Sequence, residues 1–205
     1  MLTPWEALPG ETPIDLSDLT DKVRSYGVTT RSELSLLEAK NIEPVAIKYL
    51  AAAPSVRIAP FDFSWGLKLH REMFCDVWKF AGELRQRDVN IGIKFYLVSG
   101  ELQDVFNALS EWATFRMPMI EQAARLHHKA VRIHPFLNGN GRWSRMLANI
   151  WLKKHGVALI HWPEETIGAE SIVRDEYIAT IKATDDTHNY AQLIALHERY
   201  QGPAI

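Results

Sequence analysis

Residues 133–150, IHPFLNGNGRWSRMLANI, decide how this chain is read. Trp143, Met146, Leu147, Ile150 and Trp151 recur at i, i+3, i+4, i+7 and i+8, the spacing of one buried helix face. Lys153, Lys154 and His155 fill the last turn, where cations suit the negative end of the helix dipole, and Gly156 suits the C′ position. The helix therefore begins at the glycines. Gly139 and Gly141 flank Asn140, so the backbone can take positive φ and turn its N–H groups together, which suits an anion. Arg142 and Arg145 are i, i+3 neighbours off the apolar stripe, and both can reach phosphate oxygens at that end. His134 stands just ahead of the loop. With an ordinary pKa near 6.5, a neutral imidazole can take a proton from a hydroxyl that attacks phosphorus. These residues point to phosphoryl or nucleotidyl transfer.

Upstream, Ile120, Ala123, Ala124, His127, Ala130, Val131 and His134 keep helical spacing, so a second helix delivers His134 to the loop. Leu102, Val105, Phe106, Leu109 and Ala113 predict another helix, stopped near Pro118, and His70, Met73, Phe74, Val77, Trp78 and Ala81 predict a buried one closed at Gly82. Thr30 and Glu33 form a capping box, opening a helix to about Glu43 that Pro44 ends or kinks, with 45–53 continuing beyond it. Leu34, Leu37, Asn41 and Val45 share its face. Glu38 falls on that stripe, where a carboxylate needs an arginine or hydrogen-bond donors.

Residues 1–18, with Pro4, Pro9, Pro13 and Gly10, read as an extended arm. Residues 160–168 read as a connector, and 171–183 and 189–200 as helices. Between Asp88 and Val98, DVNIGIKFYLV predicts a short hairpin or extended flap, whose free edge could hold an extended target peptide. The expected fold class is all-α, with one small β-hairpin.

At 205 residues and 47% hydrophobic content, one core and a single domain over 1–205 are expected. A net charge of −2 gives no general attraction to nucleic acid or to an anionic membrane, so neither is expected as a direct partner. No apolar run would span a bilayer, and MLTPWEALPGETP lacks the features of a secretion signal. The single cysteine, Cys75, excludes an internal disulfide and suits the cytoplasm; set among Met73, Phe74, Val77 and Trp78, it reads as a buried structural thiol. His127, His128 and His134 lack the i, i+4 pair with intervening glutamate of helix-borne zinc sites. His127 is expected in the core or supporting the site, and His128 in solvent.

The twelve residues 134–145 resemble the signature of the Fic (Fic/DOC) family: His, Pro, Phe, any residue, an acidic residue or Asn, Gly, Asn, Gly, Arg, two residues, Arg. Every fixed position is present. LHREMFCDVWKFAGELRQRDVNIG is similar to the family segment that precedes the active-site flap. The resemblance implies a helical bundle around a helix–anion loop–helix core within 66–156, followed by C-terminal helices over 157–205. It implies an enzyme that moves AMP from ATP, with Mg²⁺, onto a Tyr, Thr or Ser hydroxyl of a protein. His134 would be the base, Gly139, Asn140 and Gly141 the anion hole, and Arg142 and Arg145 the phosphate ligands. Asn90, Ile91, Gly92, Ile93 and Lys94 would form the target-docking flap.

Asn138 stands where an acidic residue typically holds the metal, and its amide oxygen is a weaker ligand for a hard cation. The family also includes phosphotransferases and enzymes that remove AMP, and a lapsed nucleotide- or partner-binding module is the non-enzymatic alternative. Many members are restrained by a helix whose glutamate pairs with the second signature arginine, here Arg145. Glu38, in the helical region 31–53, is the candidate, although Leu34 and Ala39 depart from the usual Ser/Thr, three residues, Glu, Gly/Asn pattern. TTRSELSLLEAKNI also resembles the bacterial group called mobile mystery protein B, whose members lie beside a DNA-binding partner. That implies a mobile-element or toxin–antitoxin setting and a partner protein of that kind.

Overall fold

A computed structural model describes Trp5, Ala7 and residues 9–203; the rest of the expected arm and residues 204–205 lie outside the described residues. The described residues form α1 (Asp21–Ser25), α2 (Arg31–Leu50), α3 (Phe63–Phe74), α4 (Val98–Thr114), α5 (Met119–Ile133), α6 (Asn140–Lys154), α7 (Glu164–Ile167), α8 (Ile172–Thr187) and α9 (Ala191–Tyr200). Short 3-10 turns cover Leu16–Asp18 and Phe95–Leu97.

The α5–α6 pair sits between two apolar clusters. Trp143, Leu147, Ile150 and Trp151 of α6 pack with residues of α2 to α5, while Ala148 and Leu152 pack with Ile160, Trp162, Tyr177, Leu193 and Leu196. Each large side chain buried here contributes about 1.5–3 kcal/mol by leaving water. Burial on two sides fixes the N-terminus of α6, and with it the anion loop. Trp143, wholly buried, also donates its indole N–H to the Gly66 carbonyl at 3.1 Å, tying α6 to α3.

Several boundaries differ from the sequence expectation. The Thr30–Glu33 capping box forms, but α2 passes through Pro44 and ends at Leu50. Pro44 is exposed, so the carbonyl its missing N–H leaves unbonded can be solvated, while buried Leu34, Val45 and Tyr49 hold both halves to the core. α3 stops at Phe74, well before Gly82. The next residues pair with the N-terminal segment instead: Thr20 N–H donates to the Val77 carbonyl at 3.0 Å and Lys79 N–H to the Asp18 carbonyl at 2.9 Å. Cys75 caps α3 and is exposed, which corrects its reading as a buried thiol.

No strand is present among the described residues, only the isolated bridges Leu19–Trp78 and Ile160–Gln201, so the expected hairpin is not formed. The side chain of Arg85 does the work of a partner strand. Its buried guanidinium donates to the carbonyls of Arg87 (3.0 Å), Ile93, Ile133 (3.3 Å) and His134 (2.7 Å). Asp88 closes the loop by accepting from Lys94 Nζ at 2.8 Å and Phe95 N at 2.9 Å. The flap is thus an irregular loop bound by side chains. His128, expected in solvent, is buried beside Tyr190 and Asp185, because α8 and α9 cover that face of α5.

Candidate active site

α5 ends at Ile133, and His134 caps it with φ +54°, a left-handed conformation that costs a non-glycine residue about 1 kcal/mol. Arg85 holds the turn from outside through the His134 carbonyl. The imidazole Nδ1 lies 3.3 Å from the Val131 carbonyl, which can only accept, so the proton belongs on Nδ1 and the Nε2 lone pair faces the site. Burial pushes the pKa of His134 down to about 4; the Val131 carbonyl opposes this and the Arg85 charge adds to it. The group is a neutral base at physiological pH. Gly92 of the flap, at φ +95°, lies directly on it: a Cβ there would stand 2.5 Å from His134 Cβ and 2.9 Å from the Ile133 carbonyl.

Across from His134, Gly139 is the N-cap of α6 at φ +79°, and a Cβ there would meet the Phe74 ring at 2.8 Å. Asn140 uses its whole side-chain amide on the loop, accepting from Phe136 N at 2.9 Å and donating to Phe136 O at 2.8 Å. What it can offer an anion is therefore its backbone N–H. His70, whose spacing marks a buried helix position but no role at the site, braces the same loop from α3. It stacks on Phe136 at 3.6 Å, accepts from Gly82 N at 3.0 Å and donates from Nε2 to the Asn138 carbonyl at 3.0 Å. Burial pushes its pKa down to about 3, against that carbonyl's opposing effect.

Asn138 turns its amide oxygen back onto Gly139 N at 2.9 Å. Among the described residues, no group of three His, Cys, Asp or Glu side chains is placed to hold a metal ion. With one neutral oxygen already in a hydrogen bond, the loop fits Mg²⁺ poorly.

Both arginines hold carboxylates, though not in the expected pairing. Arg142, not Arg145, takes Glu38: its NH1 lies 2.6 Å from Glu38 Oε2, and it also donates to the hydroxyl and the carbonyl of Ser35. Glu38's other oxygen accepts from the Trp78 indole N–H at 2.7 Å, so the carboxylate on the apolar stripe finds both an arginine and a second donor. Arg145 is turned away from α2 and buried against α7 and α8, which corrects its expected place off the apolar face. There Glu164 grips it with both oxygens and the Tyr177 hydroxyl accepts from it at 3.4 Å. Burial alone would lower the pKa of Arg145, but Glu164 and Tyr177 raise it above the ordinary value. Tyr177 then donates to His127 Nε2 at 2.8 Å, and His127 leads through His197 to the Leu193 carbonyl. His127 is thus a core residue that supports the site.

The N-terminal arm also enters the site, which nothing in its proline-rich sequence signalled. Thr12 Oγ1 lies 3.2 Å from His134 Nε2, and Asn90 of the flap donates to the Glu11 carbonyl at 2.7 Å. The assembled site is a neutral base with a hydroxyl against its lone pair, next to a helix N-terminus and two arginines that hold carboxylates.

A model of the "Fic/DOC family" matches residues 60–152. The chain is 32% identical over 149 residues to the protein adenylyltransferase fic-1 of Caenorhabditis briggsae, a match that covers 66% of this chain and 28% of that protein. A solved fragment of Fic-1 from C. elegans aligns with TM-score 0.61 and 25% identity, over 76% of this chain and 45% of that one. The BepC effector of Bartonella tribocorum, solved with bound AMPPNP, shares the fold at TM-score 0.66 and 16% identity, over 87% and 90% of the two chains. The match thus spans only about a quarter of the curated nematode relative. Taken with the helix–loop–helix that joins His134 to the N-terminus of α6, these likenesses place residues 60–152 as a Fic/DOC family domain.

Proposed function

We propose that this chain is a protein adenylyltransferase, moving AMP from ATP onto a side-chain hydroxyl of a protein, and that residues 1–205 act as one unit. The observation that carries this reading is the juxtaposition of a neutral His134, its Nε2 lone pair facing a hydroxyl, with the glycine-capped N-terminus of α6. The acceptor hydroxyl gives its proton to Nε2 as its oxygen attacks the α-phosphorus held over the backbone of Gly139, Asn140 and Gly141. Pyrophosphate leaves with its charge on Arg142 and Arg145. Catalysis is then positioning and charge stabilisation, complete once Arg142 and Arg145 are freed from Glu38 and Glu164. Asn90, Ile91, Gly92, Ile93 and Lys94 seat the target backbone beside His134, the acceptor being Tyr, Thr or Ser. Intact-mass analysis of lysate proteins after incubation with each nucleoside triphosphate tests the reading, which requires mass gains of one nucleoside monophosphate.

Mg²⁺ would arrive with the triphosphate and be held mainly by it, since Asn138, the loop position nearest the family's metal ligand, offers only a neutral amide oxygen already bonded to Gly139 N. Asn138→Asp should raise Mg²⁺ affinity severalfold, because a carboxylate is the better ligand for a hard cation. Calorimetric titration of Mg²⁺ with ATP present checks this; an unchanged Mg²⁺ dependence removes Asn138 from the metal site.

We further propose that the enzyme is restrained, since each arginine must release a carboxylate before it can take a phosphate. Glu38→Gly should tighten ATP binding about tenfold, as a charge-assisted contact of roughly 1.5–3 kcal/mol is freed for the nucleotide less the cost of reordering Arg142. Equal ATP affinity in both proteins would remove the Glu38–Arg142 pair from regulation. The resemblance of TTRSELSLLEAKNI supports a DNA-binding or antitoxin-like partner and a toxin–antitoxin setting, and the single unpaired Cys75 supports a cytoplasmic one.

A further inference from the structure

The N-terminal arm lies against the flap and the base, where the reading above seats a target. Residues 11–15 belong to no helix, and Asp15 is extended. The flap holds this segment by its main chain through Asn90 and the Glu11 carbonyl at 2.7 Å, a contact that ignores side-chain identity. On the other side, Arg31 donates to the Thr12 carbonyl at 2.8 Å and pairs with the Glu11 carboxylate at 2.8 Å. Arg174 donates to the Pro9 carbonyl at 2.8 Å. The arm is thus tied to α2, to α8 and to the flap at once. Those ties set one side chain, Thr12, against the base, 122 residues away in sequence, with its Oγ1 3.2 Å from His134 Nε2.

We infer that Thr12 is a self-modification site: the arm occupies the target seat in cis, and its hydroxyl accepts AMP from the chain's own active site. The inference rests on the adenylyltransferase reading above. Thr12 Oγ1 gives its proton to His134 Nε2 and forms a bond to the α-phosphorus of ATP. The bond from that phosphorus to the α,β-bridging oxygen breaks, pyrophosphate leaves, and His134 later returns the proton to water. A threonine so modified carries a phosphodiester and an adenosine, which cannot remain in a pocket where Thr12 is 7% exposed. The modified arm therefore leaves the seat, and the flap is opened to other proteins.

The test uses the full chain, unaltered and carrying Glu38→Gly, incubated with ATP labelled on the α-phosphorus, alone and with lysate proteins, and then mapped by peptide mass. The expected result is one AMP on Thr12, added at a rate per molecule that does not change with protein concentration. Thr12→Val loses that adduct and labels lysate proteins sooner, while Thr12→Ser keeps it. Labelled lysate proteins with Thr12 unmodified overturn the inference and leave adenylyl transfer standing, the arm then being only a plug. Labelling of Thr12 that rises with protein concentration overturns transfer in cis. Absence of label on any protein in both forms overturns the inference together with the reading it rests on.

Discussion

His134→Ala lowers the rate of AMP transfer by roughly 10²–10⁴-fold, the usual worth of a positioned general base, and leaves ATP affinity within about twofold. The two parts separate because Nε2 faces the acceptor hydroxyl, whereas the nucleotide's charge falls to the loop backbone and the arginines. The fold should survive, since α5 reaches its C-terminus without the imidazole and Arg85 binds the backbone carbonyls of Ile133 and His134 rather than the ring. Single-turnover transfer and ATP titration, measured on the same preparation, decide the matter. Equal loss of binding and rate would make His134 a phosphate ligand, and an unchanged rate would remove it from the chemistry.

Unfolding stability should fall steeply between pH 6.5 and about 4. His134 and His197 are pushed by burial to about 4 and His70 to about 3, and burial and neighbouring positive charge hold His127 well below 6.5. Each is neutral in the folded chain, so below 6.5 the unfolded chain binds the additional protons. The stability these groups confer is fully present above pH 6.5 and is lost as pH falls toward their folded values. Each contributes a slope of up to about 1.4 kcal/mol per pH unit, so the four together approach the whole stability of a typical domain within one to two units. Urea unfolding at pH 7.5, 6.5 and 5 checks it: a loss of about 1 kcal/mol between the first two and of several kcal/mol more at the third. Equal stability at all three would mean that these histidines are hydrated or charged when folded.

The helical core was legible because its signals are local. The apolar spacing of α6, its stop at Gly156 and the delivery of His134 by α5 all lie within residues 119–156. What was not legible depends on residues brought from elsewhere in the chain. The β-branched and aromatic content of the flap suggests a hairpin, but Arg85, anchored on the distant Ile133 and His134 carbonyls, draws the Ile93 carbonyl onto its side chain and away from strand pairing. α3 loses its last two expected turns as the chain pairs instead with Leu19, far upstream. Glu38's need for a partner could be read from its place on an apolar face, yet which arginine answers it depends on how α6 is rotated against α2. Glu164, in what reads as a connector, has no local feature that would mark it as the partner of Arg145. His70 and Thr12 join the site only by tertiary packing.

The account is tested most directly by where the label of ATP goes. The Glu38→Gly chain, with and without His134→Ala, is incubated with lysate proteins and ATP labelled on either the α- or the γ-phosphorus, and protein-bound label is measured after denaturation. Label is expected from the α-position only, reduced at least about a hundredfold once His134 is replaced. Label from the γ-position would show phosphate transfer, and α-label that persists undiminished without His134 would contradict the assignment of the base.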